Sequence, residues 1–173
     1  DAIITGSGLG CLQDSEKFLE SILDNDEEYL SPTAFIKSTH NTVGVQVALG
    51  IKCPAYNLTY VHGSVSFESA LMDAMLRFEE AEDTQHILVG GIEELGKHTT
   101  ALFQLIHHIK AEAPYTLDLL ESKSQGTIFS DGAQFFVLSN QAQDSTYAQI
   151  TDMETISCLK EEQLEQRVVS FLN

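Results

Sequence analysis

The spacing of hydrophobic positions changes period along the chain, and each change marks an element. Asn57 to Val61 is rich in residues that favour strands (Leu58, Tyr60, Val61), and Pro54 closes it off behind. It predicts a short buried strand. From Val65 the spacing turns helical: Phe67, Leu71, Met75 and Phe78 recur on one face, and Ala70 and Ala74 are small enough for close packing. Only His62-Gly63-Ser64 separates strand from helix. So tight a turn presents its residues at a helix N-terminus, where free N–H groups and the macrodipole favour negative charge. Many α/β enzymes place a nucleophile or an anion site there. The plainer reading is that Gly63 supplies a permissive backbone and Ser64 or Ser66 caps the helix.

The same reading extends along the chain. Ala2 to Thr5 predicts a buried strand, followed by Gly6-Ser7-Gly8-Leu9-Gly10. A dinucleotide fingerprint fails here, because Cys11 stands where its last glycine is required; the glycines instead let the backbone turn beside another element. An amphipathic helix follows, capped by Asp14 and running to Leu23, and then an acidic loop from Asp24 to Glu28. Ser31-Pro32-Thr33-Ala34-Phe35 predicts a capped turn with Pro at the first helical position. Thr39 to Leu49 predicts a small-residue helix with Gly50 as its C-cap. His86 to Glu94 predicts a central strand ending in Gly90-Gly91, so that strand, helix and strand form a parallel βαβ unit. Helix is expected over Thr99 to Ile109. Its His107 and His108 diverge by about 100°, so they lack the i, i+4 pairing of a zinc helix. Gln125 to Phe129 and Gln134 to Ser139 predict a hairpin across Ser130–Ala133. Thr146 to Leu159 reads as strand and Glu161 to Leu172 as helix. The expected fold class is α/β, with parallel and antiparallel strands in one sheet and a single domain over 1–173.

Composition narrows the function classes. The 173 residues are 43% hydrophobic and 20% charged, a globular balance. Against 26 Asp and Glu stand only 9 Lys and Arg, for a net charge of −17. That excludes ordinary nucleic-acid binding and docking on anionic membranes, both of which need clustered cations. Cys11, Cys53 and Cys158 form no CxxC pair, which fits a reducing cytoplasm rather than a disulfide framework or a metal site. No apolar run is long enough to span a membrane. The chain opens directly on a strand without an initiator Met and is expected to be cut from a longer protein.

The order of these motifs resembles the N-terminal half of the β-ketoacyl-acyl-carrier-protein synthases, whose fold is thiolase-like. The resemblance rests on the strand and glycine turn Ile3 to Gly8, on Ser31-Pro32-Thr33-Ala34-Phe35 with the helix Asn41 to Leu49, and on Gly50-Ile51-Lys52-Cys53-Pro54. Gly90-Gly91-Ile92-Glu93-Glu94 and Asp131-Gly132-Ala133 with the strand Phe135 to Leu138 complete it. It covers almost the whole chain, in order. One departure matters most. Active members carry a nucleophilic Cys at the strand-to-helix turn, where it accepts the acyl chain. His62 stands in that position here, and Ser64 stands where the motif has a downstream Ser or Thr. A neutral imidazole there can accept a hydrogen bond or polarise a group; as an acyl acceptor it would form a labile acyl-imidazole. The resemblance also places His40, Asn41 and Glu93 near the active-site rim as binding candidates.

Three readings follow. In the first, the chain is a Cys-lacking, chain-length-factor-like subunit that pairs with an active synthase in fatty-acid, polyketide or aryl-polyene biosynthesis. In the second, it is itself an acyltransferase or condensing enzyme using His62, or Ser64 activated by His62, although no orienting acid stands at clear spacing. In the third, it is a non-enzymatic scaffold on a thiolase-like core. The resemblance implies no cofactor, a homo- or heterodimer with a ketosynthase-like subunit, and an acyl carrier protein met directly or through that subunit. Acyl carrier proteins are acidic, so a surface at −17 favours the indirect route. His86 to Val89 is either the strand that pairs across the dimer or an ordinary central strand.

Overall fold

The first strand lies at the centre of the sheet. The computed structural model describes residues 1–81, 83–110, 119–156 and 159–173. Its elements run β1 (Ala2–Gly6), α1 (Leu12–Asp24), α2 (Pro32–Lys37), α3 (Thr42–Gly50), β2 (Tyr56–Tyr60), α4 (Ser66–Glu80), β3 (His86–Glu93), α5 (Lys97–Leu105), β4 (Gly132–Ser139) and α6 (Glu161–Leu172). Residues Asp1–Asn140 and Gln141–Asn173 form two compact units. The first holds a four-stranded sheet in the order β2-β1-β3-β4, with β1 parallel to both neighbours and β4 antiparallel to β3. The fold is therefore α/β, a mixed and mainly parallel sheet flanked by helices. The second unit carries α6, and within it Arg167 pairs with Glu154. No helix among the described residues is long and apolar enough to cross a membrane.

Alternation along β1 sorts the two faces of the sheet. Ala2 and Ile4 pack with Ile87 and Val89 against Ala70 and Ala74 of α4, and all six are buried. The two alanines let the helix lie close on the strands, as their spacing predicts. Ile3 and Thr5 point to the other face, where α3 approaches. A Cβ on Gly44 would sit 3.1 Å from the Thr5 hydroxyl oxygen, and the Asn57 amide donates to the Gly44 carbonyl at 2.9 Å.

Several expectations need correction. The strand before the turn is Tyr56–Tyr60; it is half-buried rather than buried, because it lies at the sheet edge. His86 to Val89 is internal, paired on both sides, which removes its reading as a strand open to a partner. The strands β2 and β3 are parallel but do not touch, since β1 lies between them. Asp14 is not a cap: α1 begins at Leu12, and Asp14 sits in its first turn. Gly50 stays inside α3, and the positive φ of 55° falls on Lys52. Helix α5 stops at Leu105, and His107 takes a φ of 59°, while His108 stacks on Phe103. The expected hairpin is reduced to β4 and one isolated bridge, Ile109 to Thr127. Residues 146–156 contain no strand, and Ser157 and Cys158 lie outside the described residues. Over residues 125–129 and 146–156 strand propensity is realised, among the described residues, only in the Ile109–Thr127 bridge. The capped α2 holds as read: Ser31 Oγ accepts the Ala34 N–H at 3.4 Å, with Pro32 at the first position.

A long-range cap ties α1 to α5. The Glu16 carboxylate accepts the N–H groups of His98 at 3.0 Å and Thr99 at 2.8 Å, occupying orphan donors at the start of α5. Burial alone would raise the Glu16 carboxyl, but the Thr99 and His98 donors, with the His98 ring nearby, outweigh it and hold it below the usual carboxylate range. A depressed folded-state value stabilises above the unfolded value and is lost as pH falls through the folded one. Amide exchange at His98 and Thr99, corrected for intrinsic rates, is therefore expected to quicken on acidification below the ordinary carboxylate range. Glu16→Gln should flatten that dependence; an unchanged profile in the variant would assign it elsewhere.

Candidate functional site

The carboxyl ends of β1 and β3 meet the turn between β2 and α4, the end of a parallel sheet where α/β proteins commonly bind ligands. Gly63–Val65 form a single 3₁₀ turn before α4 begins at Ser66, and Gly63 has a φ of 55°. Neither Ser64 nor Ser66 caps α4; Val65 holds the cap position without a side-chain bond. Ser66 turns back instead. Its hydroxyl accepts the His62 N–H at 2.8 Å and donates to the Gly63 carbonyl at 2.7 Å. One turn along, the Ser69 hydroxyl donates to the Val65 carbonyl at 2.8 Å and lies 3.1 Å from His62 Nδ1. Two serines of one helix thus hold His62, one by its backbone and one by its ring. Both His62 and Ser64 are exposed, and no hydrogen bond joins them among the described residues.

Glu93, at the end of β3, braces the opposite wall. Its carboxylate accepts the N–H of Gly8 and, at 3.2 Å, that of Leu9. Gly8 is itself wedged in place: a Cβ there would come 2.8 Å from the Gly63 carbonyl oxygen and 3.3 Å from Glu93 Oε1. Between these parts lies an open cavity of about 500 Å³, walled by Gly6, Ser64, Phe67, Gly91, Glu93 and Gln134 among others. Of the residues that the sequence singled out, Ser64 and Glu93 line this cavity and His62 is not among its lining residues. His40 and Asn41 are likewise not among its lining residues. The exposed His40 packs its ring on Gly10, where a Cβ would come within 2.8 Å, and Asn41 sits at the α3 cap position without a side-chain bond.

Burial first, then the Glu94 and Asp14 carboxylates, push the Cys11 thiol up, away from the reactive thiolate. Cys53 is half-buried ahead of β2. Among the described residues no group of three or more His, Cys, Asp or Glu is placed to hold a metal ion.

A second feature escaped the reading of the sequence. Between Tyr29 and Phe67 there is no Asp or Glu, and the only Lys or Arg residues are Lys37 and Lys52. In a chain this acidic, such a block is a strong signal, visible to anyone who maps where acids are missing. The block contains α2, α3, β2 and the His62 turn, and it exposes Phe35, Ile36, Leu49 and Ile51. No described strand pairs with the outer side of β2. Beside that edge the Tyr56 hydroxyl donates to Asp73 at 3.1 Å. The Arg77 guanidinium stacks 3.7 Å from the Tyr56 ring centroid, its Nε buried without a hydrogen-bond partner among the described residues. Burial, and then Asp73, push the Tyr56 and Tyr60 phenols up.

No family model and no curated protein sequence matches the chain. Solved structures do. The ketosynthase ApeO in complex with its chain length factor ApeC from Xenorhabdus doucetiae matches at a TM-score of 0.56 and 22% identity, over 82% of this chain and 50% of that one. A β-ketoacyl synthase from Burkholderia phymatum STM815 matches at a TM-score of 0.63 and 18% identity, over 80% of this chain and 34% of that one. The ishigamide ketosynthase/chain length factor matches at a TM-score of 0.63 and 21% identity, over 83% and 36%. The chain has the fold of these synthases, and it spans a third to a half of their length.

Proposed function

We propose that the chain is a β-ketoacyl-synthase-like subunit that pairs with a Cys-bearing synthase in the manner of a chain length factor, in the biosynthesis of a fatty acid, polyketide or aryl polyene. The observation that carries this reading is the occupant of the strand-to-helix turn. His62 and Ser64 stand there, and no Cys occurs between Cys53 and Cys158. An imidazole cannot store an acyl chain as a thiolate does, because an acyl-imidazole is hydrolysed too readily. Two of the structural matches are synthases paired with chain length factors, which supports the same assignment.

The pairing surface follows from topology and charge. Since β1 and β3 are interior, the edge strands are β2 and β4, and the charge pattern favours β2 as the one that meets a partner. The acid-free block supplies that edge strand and α3 beside it, so away from Asp73 of α4 a partner meets apolar side chains and two lysines rather than the repulsion carried by the rest of the chain. The acyl carrier protein would be met through the partner's surface, and the free cysteines fit a cytoplasmic setting.

Two measurements test this. Intact mass after incubation with an acylated carrier protein should show no acyl adduct on the chain. Cross-linking of the full-length protein in its native host, followed by mass spectrometry, should join Lys37 or Lys52 to a Cys-bearing ketosynthase. A stable acyl adduct, or cross-links that never reach such a synthase, would defeat the proposal.

A further inference from the structure

Arg77 is the single arginine in residues 1–140. Among the described residues the ion pairs are His98 with Glu20 and Arg167 with Glu154, so Arg77 joins no carboxylate. Asp73, one turn earlier on α4, is close enough along the helix to pair with it. It accepts the Tyr56 hydroxyl instead, at 3.1 Å. Arg77 meets the Tyr56 ring, its guanidinium carbon 3.7 Å from the ring centroid, and its Nε is buried without a hydrogen-bond partner among the described residues. Stacking uses the flat face of a guanidinium and supplies no acceptor to the N–H groups along its rim. A buried donor left unpaired is costly, and native structures hold few of them. In a chain with 26 Asp and Glu, an arginine kept apart from the described acids is set for an acceptor from outside.

Its position says where that acceptor arrives. Ala70 and Ala74 of α4 rest on the sheet, Phe67 lies against Gly91 of β3 on one flank, and Asp73 and Arg77 meet Tyr56 of β2 on the other. Tyr56 opens the edge strand, whose outer side carries no described strand. Arg77 is half-buried, and Met72 and Leu76 beside it on α4 are exposed. We propose that Arg77 anchors the partner docked at the β2 edge by taking an Asp or Glu carboxylate of that partner. That the partner is a synthase rests on the function proposed above; the need for an acid does not. The Nε–H and one terminal N–H of a guanidinium form a fork that matches the two oxygens of a carboxylate. The Tyr56 ring fixes the plane of that fork, so little freedom is lost on docking. Lys52, exposed in the turn that leads into β2, adds a second cation to a face otherwise largely apolar. A complementary partner face carries acid at the one edge where this chain does not repel it.

The test uses the full-length protein and the Cys-bearing ketosynthase captured by cross-linking, titrated by calorimetry. Arg77→Gln should weaken pairing about 30-fold, as befits loss of one member of a desolvated charge pair. Arg77→Lys, which keeps the charge and loses the fork, should weaken it about 10-fold. Lys97→Gln, an exposed cation on α5, should stay within about 2-fold. Carbodiimide treatment of the Arg77→Lys complex provides the independent readout. It joins amines to carboxylates in direct contact, so position 77 should be linked to an Asp or Glu of the synthase. Replacing that acid by its amide in the synthase should weaken pairing with the wild-type chain, and should add nothing to the loss in Arg77→Gln. That last comparison holds even where a variant of position 77 folds poorly, because the synthase substitution is read with this chain unaltered. Pairing unchanged in both Arg77 variants, an equal loss in Lys97→Gln, or links from position 77 only within its own chain overturn the anchor and leave the subunit assignment standing. A wild-type chain that binds no synthase overturns the function proposed above, and the anchor with it.

Discussion

Replacing Gly6 by Ala is expected to cost about 3 kcal/mol of stability, at the upper end for overpacking a tight core. Gly6 ends β1 directly beneath the start of α4. A Cβ there would overlap the Ser66 backbone and come 2.6 Å from the Phe67 nitrogen, against main chain that has no rotamer to yield. The helix must lift or β1 must bend. Either movement disturbs Ala70 and Ala74 on the buried faces of Ala2 and Ile4. The same displacement would pull Ser66 from His62 and Gly63 and so disorder the cavity turn. Urea unfolding of Gly6→Ala beside Gly50→Ala checks this, because nothing lies within 4 Å of a Cβ on Gly50. Two variants of equal stability would show that α4 does not rest on β1 as tightly as described.

That close approach shows what could be read from the residues and what could not. The glycine run after the first strand was legible as a place where the backbone passes beside another element. Which element it passes is a tertiary fact, and only the structure names Ser66 and Gly63. Ala70 and Ala74 were legible because helical periodicity and small side chains act over a few residues. The absence of strand over residues 146–156 was not, because strand propensity expresses itself only where a neighbouring strand offers a ladder. Ser69 illustrates the same limit at the site. Nothing local marks it as a partner for His62, seven residues earlier, until the 3₁₀ turn folds the ring back over α4. Glu93 was placed near the rim by motif position, yet its bonds to Gly8 and Leu9 make it a brace for the wall.

Acid introduced into the acid-free block should weaken pairing with the synthase at least 100-fold, about 2.7 kcal/mol. The informative variant is Leu49→Asp with Ile51→Asp. These side chains are 67% and 61% exposed, so the isolated chain loses little by the change, within about 0.5 kcal/mol. On pairing, each new carboxylate would be buried against apolar surface with no partner, and truncations at interface centres alone reach such magnitudes. The proper control is Leu102→Asp with Leu105→Asp on α5. Those leucines are 57% and 77% exposed but lie outside the block, so the two variants match in charge and exposure and differ only in place. Titration calorimetry against the cross-linked synthase, with unfolding measured for each variant, separates the outcomes. Loss in the α3 variant alone locates the partner on the face around β2. Equal loss in both would mean that net charge, not this surface, governs association. No loss in either would place the synthase elsewhere, and the empty stretch between Glu28 and Glu68 would then need another cause.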